Sequence, residues 1–486
     1  MPGINGDEAW YGVQAQRWVS GETVGWRTPS GNLPGPLQMG ALILLQSIFE
    51  PSFALLRIPS VVASLGAMAM AYAIGRRFFD QTTAMALLLI MAALPVNIAY
   101  ARLGWDPSHL GLVILASVYA ALAGRRLLSA LAFALALTVH PTAAFAGPFL
   151  ISAMLGRELE ARSLRGALAR VAPYAAALTL SLGLLAITTS NGQALGSLAG
   201  LGSRLADPAQ WAAFGIGLER LLTGETIYIY VTGQGFAGLA KLIDLTAAVL
   251  IMGLAASGII TLRRSAFGRE AGVVTGWLAS LVLFLLIAGP VALQPHVERY
   301  AVWLIAPTAL ALAILIRRLL VREVVVIGAT VAIAVLLLIG FQERYFRVLD
   351  KVGSRSARTF WTGPVEPKQA AYDQLASVAR TERPIRVFAE DWWLYWPVRY
   401  LARGKPLEVR NASSSPSGSE ALARREETFW LVYKGSTLDR RLAATAGARL
   451  RSTIDATGHP RAFHIWRTPA PPTPSAAQDQ LSAAGG

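Results

Sequence analysis

The stretch ALLRIPSVVASLGAMAMAYAIGRR, residues 54–77, decides the fold. Apart from Arg57 near its start it is predominantly apolar up to Gly75, and it stops on Arg76 and Arg77. About 20 such residues wound as a helix cross the hydrocarbon core of a bilayer, and only a helix or a closed barrel satisfies its backbone there. The same rule applied outward gives about ten runs. They cover residues 54–75, 83–99, 108–124, 127–139, 142–156, 170–189, 243–262, 271–292, 300–316 and 322–340, and the two beside His140 are short.

Composition points the same way. The 486 residues are 54% hydrophobic and 15% charged, against roughly 25% charged in soluble domains. Mean hydropathy is +0.46. This balance excludes a soluble enzyme, a disordered chain and a compact nucleic-acid binder. The formal charge of +15 reads as a basic edge facing the cytoplasm rather than as a nucleic-acid footprint. With no Cys in the chain, disulfides, thiolate catalysis and thiolate metal sites are excluded as well.

Charge assigns sides to the connections. Arg76 and Arg77, Arg125 and Arg126, the set Arg157, Arg162, Arg165 and Arg170, then Arg263, Arg264 and Arg269, and finally Arg317, Arg318 and Arg322 fall in every second connection. These are expected to be cytoplasmic. The alternate connections, around Asp106, His140, residues 190–241 and His296, are then extracytoplasmic, as are both chain ends. Counting residues 36–50 as a further span would invert this pattern, so they are expected to form a juxtamembrane or re-entrant helix.

The composition changes after residue 341. A helical pattern at Glu366–Arg380 and strand-like runs at Arg386–Ala389, Phe429–Tyr433 and Ala462–Trp466 predict a small α/β domain. The expected division is an acidic loop with juxtamembrane helices at 1–53, a transmembrane domain at 54–341, an extracytoplasmic α/β domain at 342–470 and a disordered Pro-rich tail at 471–486.

The polar residues of the outward connections are the candidates for chemistry. Asp7 and Glu8 precede Ala9-Trp10-Tyr11 and a short amphipathic stretch through Gln14, Arg17 and Trp18. Adjacent acids there suit a general base or a divalent cation, and equally a helix start with Asp7 as cap and Glu8 in the first turn. Asp106 follows Trp105 and precedes Pro107, which suits the start of a helix but leaves Arg102 unexplained. Arg57, His140, His296 and Arg299 lie on the same predicted side. Each alone fits a satisfied helix-end residue or a snorkelling cation, whereas together they form the cluster that a phosphate leaving group needs.

These residues resemble a family, the GT-C membrane glycosyltransferases, and within it the relatives of protein O-mannosyltransferases and of the lipid A aminoarabinose transferase. The resemblance runs through Asp7-Glu8-Ala9-Trp10-Tyr11, Gly21-Glu22, Pro34 to Pro36, Leu56-Arg57-Ile58-Pro59-Ser60, Gly75-Arg76-Arg77-Phe78-Phe79 and Tyr100-Ala101-Arg102. It covers about the first 160 residues and reaches the later spans by topology only. It implies a GT-C-like polytopic helical membrane protein with a C-terminal extracytoplasmic α/β domain, with Asp7 as catalytic base, Asp106 as the second acid and Arg102 facing a lipid-phosphate donor. The family has a span before its acidic pair, so one is expected ahead of Met1.

Two departures stand out. The lipid A relatives carry a basic residue soon after the acidic pair and Glu-Lys before their Pro-Pro, where this chain has Trp10 and Asn32-Leu33-Pro34-Gly35-Pro36. His140, His296 and Arg299 are the substitutes by position, and the acceptor is expected to differ.

The implied reaction moves a sugar from a polyprenyl monophosphate to a hydroxyl of a glycan, lipid or protein acceptor, with inversion, outside the cytoplasmic (inner) membrane. Nucleic acid is not an expected partner. A transporter or flippase for a lipid-linked saccharide is the alternative, which would need charges or broken helices at mid-membrane. A structural envelope protein is a third reading. Asp7, Glu8 and Asp106 are the only candidates for Mg²⁺ or Mn²⁺, too few to define a site.

Overall fold

The computed structural model describes residues 4–24, 27–28, 33–188, 206–232, 239–262, 267–289, 298–347, 365–382, 385–413, 428–456 and 459–468. It separates into two compact units. One comprises Gly21–Ser47 and Ala54–Arg347, the other Met1–Ser20, Ile48–Phe53 and Val348–Gly486.

In the larger unit every run read from the sequence is mainly helical over its described residues, but only six helices among them are long and apolar enough to cross a membrane: Phe53–Phe78, Leu164–Leu184, Lys241–Leu262, Arg269–Ile287, Arg299–Leu319 and Glu323–Phe346. The others are shorter, and proline explains several of them, because it removes a backbone donor and clashes with the preceding turn. The 83–99 run breaks at Leu94-Pro95 into α4 (Gln81–Ala93) and α5 (Pro95–Tyr100). Helical turns of the tighter 3₁₀ type at Asp106–His109 and Pro141–Ala146 precede α6 (Leu110–Leu122) and α8 (Gly147–Leu159). Residues Pro36–Ile48 form α2, whose 13 residues span about 20 Å, short of a bilayer core.

The helix Val302–Leu319 is the pillar of this unit. It is buried continuously from Val302 to Ile316, as expected of a helix that is apolar all round. The helix Arg269–Ala288 packs on α8 through small residues. A Cβ on Gly272 would lie 2.5 Å from Ser152 O, and one on Gly276 2.8 Å from Phe149 Cα. Small side chains let backbones approach where lipid supplies no hydrophobic drive between helices.

The Arg-bearing connections meet at one end of the unit. Arg317 Nε lies 2.7 Å from Asp80 Oδ2 and Arg269 Nη2 lies 2.7 Å from Glu160 Oε2. Arg269 Nη1 donates to Phe78 O at 3.0 Å, Arg318 pairs with Glu270, and Arg126 Nη1 donates to Arg170 O at 3.1 Å.

The smaller unit is a five-stranded sheet in the order β2-β1-β3-β5-β4, with β1 Ile385–Ala389, β2 Leu407–Asn411, β3 Thr428–Tyr433, β4 Arg449–Ala456 and β5 His459–Thr468. β1 is parallel to β2 and β3, while β5 is antiparallel to β3 and β4. Phe388 and Trp430 stack at 4.7 Å within a core that includes Val432 and Leu442. Truncating Trp430 to Ala there should cost about 3–5 kcal/mol.

The N-terminal helix α1 (Gly6–Val19) belongs to this unit, contrary to a boundary drawn from composition. Buried Lys368 donates to Ile4 O at 2.8 Å and Gln16 Nε2 to Tyr400 O at 3.2 Å. Nor is α1 amphipathic as expected, since it is buried from Glu8 to Gln16. The expected tail at 471–486 lies outside the described residues.

Candidate active site

The acidic pair of the smaller unit divides its labour. The cap of α1 is Asn5, not Asp7. Asn5 Oδ1 accepts from Asp7 N at 2.7 Å, and Asn5 N–H donates to Glu8 Oε2 at 2.9 Å, closing a capping box. Glu8 is buried and structural in this role, whereas Asp7 is half-buried at a position where an acid also suits the helix dipole. Tight packing fixes this turn, because a Cβ on Gly6 would fall 2.7 Å from Trp392 Cδ1.

The larger unit gathers the second acid and two of the predicted cations at the end away from its Arg-bearing connections. Asp106 is buried at the first position of its 3₁₀ turn, with Trp105 in extended conformation before it. Its side-chain Oδ2 accepts from Gly35 N at 2.8 Å. A Cβ on Gly35 would lie 2.4 Å from Asp106 Oδ1, so glycine between Pro34 and Pro36 is what lets the backbone meet the acid.

Arg299 stands beside Asp106's neighbour. Its guanidinium carbon is 5.5 Å from the Trp105 ring centre and 5.0 Å from that of Tyr300, and Nη2 donates to Tyr300 Oη at 3.2 Å. The His140 ring lies 5.9 Å from Tyr300. Thr142 N–H donates to His140 Nδ1 at 3.3 Å, which assigns the proton of a neutral imidazole to Nε2. Burial, reinforced by the positive charge of Arg299, pushes the His140 pKa down to about 4. At neutral pH His140 is therefore an uncharged donor beside a permanent cation.

Two other predicted residues have contacts of their own. Arg102 lies over the Phe346 ring at 4.8 Å and makes no ion pair among the described residues. Arg57 is buried in the first turns of α3 (Phe53–Phe78), next to Leu56, whose carbonyl accepts from Gln38 Nε2 at 3.1 Å. His296 lies outside the described residues. Among them no group of three or more His, Asp or Glu is placed to hold a metal ion.

Sequence reading missed the aromatic surfaces. Trp105 and Tyr300 orient Arg299, and Tyr100 stacks on Trp105 at 6.5 Å. It also missed Arg344, buried in the π-type turn Gln342–Phe346 with its guanidinium 5.3 Å from the Tyr228 ring. An Arg adjoining aromatic residues at a span end was the available signal.

No family model matches the sequence, and no curated protein matches it. Solved structures do. ArnT from Cupriavidus metallidurans bound to undecaprenyl phosphate superposes with a TM-score of 0.56 at 13% identity, covering 97% of this chain and 96% of that one. The apo structure of ArnT gives 0.44 at 13% identity over the same shares. The archaeal oligosaccharyltransferase AglB from Archaeoglobus fulgidus, in complex with an inhibitory peptide and a dolichol-phosphate, gives 0.47 at 12% identity over 83% of this chain and 60% of that one. The chain thus shares the fold of the ArnT structure: a polytopic body of apolar helices, six of them among the described residues long enough to cross a membrane, with a C-terminal α/β unit.

Proposed function

We propose that the chain is a glycosyltransferase that moves a sugar from a polyprenyl-monophosphate carrier to an acceptor hydroxyl on the extracytoplasmic side of the cytoplasmic membrane. The observation that carries this reading is the grouping of Arg299, His140 and Asp106 with Trp105 and Tyr300 at the end of the membrane unit away from its Arg–carboxylate ties. The fold shared with a protein bound to undecaprenyl phosphate supports it.

In the proposed reaction Asp7 takes the proton of the acceptor hydroxyl. The hydroxyl oxygen bonds to the anomeric carbon from the face opposite the phosphate, whose oxygen leaves with the bonding pair, so configuration inverts. The departing phosphate gains charge, which Arg299 and Arg102 offset as permanent cations while His140 donates from Nε2. Asp106 sets the Pro34–Pro36 segment through Gly35.

The transporter alternative calls for charges or broken helices at mid-membrane, and the 83–99 run does break at Leu94-Pro95. In the membrane unit the described buried Arg, Asp, Glu and His residues, Arg57, Asp106, His109, Glu158, Glu225 and Arg344, all fall at helix ends, in the first or last turns or just beyond, which favours the enzyme.

The test uses the full chain in proteoliposomes with a polyprenyl-phosphate sugar and membrane extract as the acceptor source. Asp7→Asn should lower transfer by about 10²–10⁴-fold while donor lipid still binds. Transfer at the unchanged rate, or substrate movement across the bilayer without a new glycosidic bond, would overturn the reading.

A further inference from the structure

A cavity opens at the Arg-bearing end of the membrane unit, between α7 (Arg126–Val139) and α9 (Leu164–Thr188). Its volume is about 530 Å³, within the range of small-molecule sites. Arg125, Arg126, Leu127, Pro173, Tyr174 and Ala177 line it, and none of its lining residues is acidic. The wall is pinned from behind, because Ser129 Oγ meets Tyr174 Oη at 2.6 Å and Ser117 Oγ at 3.1 Å. Arg126 reaches across to Arg170 O and so joins the two helices at the rim.

These two arginines differ from five others at this end. Arg157, Arg162, Arg269, Arg317 and Arg318 each meet a carboxylate. Neither Arg125 nor Arg126 makes an ion pair among the described residues. Below them α7 presents Leu127, Leu128 and Leu131 at 72%, 51% and 57% exposure. Two uncompensated cations above an exposed leucine face form a surface that is basic at the headgroup level and apolar beneath it. Basic pockets between membrane helices are suited to anionic lipid headgroups, which bring their own chains to cover the apolar part.

We propose that this cleft binds an anionic phospholipid, its phosphate held by Arg125 and Arg126 and its acyl chains along Leu127, Leu128 and Leu131. The site is separate from the transfer site, and it holds whether or not the chain is a glycosyltransferase. Two positive charges and a hydrocarbon wall together select a lipid over free phosphate, and a negative headgroup over a zwitterionic one.

The experiment is native mass spectrometry of the full chain in detergent, titrated with phosphatidylglycerol, with phosphatidylcholine or with inorganic phosphate. The wild-type chain should retain phosphatidylglycerol over phosphatidylcholine and should not release it to millimolar phosphate. The double variant Arg125→Gln with Arg126→Gln should weaken retention about tenfold or more. Ala177→Trp leaves both cations in place and fills the cleft, and should weaken it similarly; melting in phosphatidylcholine micelles checks that both variants remain folded. Equal retention by wild type and either folded variant, equal retention of the two lipids, or displacement by phosphate would overturn the proposal.

Discussion

Arginine does two different jobs at the two ends of the membrane unit. At one end Arg317, Arg269 and Arg318 reach carboxylates on neighbouring connections and tie them together. At the other, Arg299 and Arg102 lie over the rings of Trp105, Tyr300 and Phe346. A carboxylate neutralises a guanidinium, whereas an aromatic ring orients it and leaves its charge in place. Hydrogen bonds leave from the edge of the guanidinium, and a ring engages its face. The first end is thus built to hold helices together, whereas at the second the guanidiniums of Arg299 and Arg102 are seated on aromatic faces. The comparison separates structural from functional cations without reference to which side of a membrane either faces.

Arginine replacement offers the sharpest way to break the comparison. Arg299→Ala should lower transfer about 10²–10³-fold, the size expected when a positioned donor to developing charge is removed, with a small change in melting temperature. Arg318→Ala should do the reverse, lowering melting slightly and leaving turnover per folded molecule unchanged. If both variants lost activity in proportion to their loss of stability, the two ends would not differ in kind.

His140 sharpens the comparison through pH. Its pKa of about 4 in the folded chain lies below the ordinary value of 6.5, so between those limits the unfolded chain binds a proton that the folded one does not. Stability contributed by the neutral ring is present above pH 6.5 and is lost as pH falls toward 4, by about 3 kcal/mol at most. Thermal melting of wild type against His140→Gln from pH 7 to pH 4.5 should converge as the wild type loses its advantage. Parallel curves would place a charged imidazole beside Arg299 and weaken the case for a neutral donor. Gly35→Ala is a smaller steric test: its methyl meets the Asp106 carboxylate and should cost about 1–3 kcal/mol, with transfer falling as the acid is displaced.

Much of the membrane unit was legible because apolar run length and Arg placement are one-dimensional signals. Every run from 54–75 to 322–340 is mainly helical over its described residues, and the Arg-bearing loops meet. The break at Pro95 was also written in the sequence, although hydropathy averages over it. The α/β unit was half legible: β1 and β3 are short apolar runs and β5 carries apolar residues through Ala462–Trp466, whereas Leu407–Asn411 and Arg449–Ala456 carry charges and lack an apolar run. The assignment of α1 to that unit had no local signal at all, since it depends on pairs such as Lys368 with Ile4, hundreds of positions apart. The same limit governed the site. Asp106, His140 and Arg299 were visible as residue types, but the choice of Asn5 over Asp7 as cap and the aromatic seat of Arg299 are facts of packing.

The smallest expected effect tests the structural end alone. Asp80 and Arg317 join the start of α4 to the end of the pillar helix, with side chains 40% and 27% exposed. Burial works to raise the Asp80 pKa, but hydrogen bonds from Thr83 and Arg317 and the charge of Arg317 outweigh it and hold the carboxyl below its usual range. Its stabilisation is therefore present at neutral pH and lost as pH falls through the folded pKa. Removing Arg317 alone should cost under about 1 kcal/mol, because a half-exposed pair is screened. Asp80→Ala should cost about 1 kcal/mol more, since Asp80 Oδ1 also accepts from Thr83 N at 2.6 Å as the cap of α4. A double-mutant cycle read by melting should assign about 0.2–1 kcal/mol to the pair itself. A coupling of several kcal/mol, or any loss of transfer per folded molecule, would mean that this end takes part in the chemistry and that the contrast with Arg299 is one of degree.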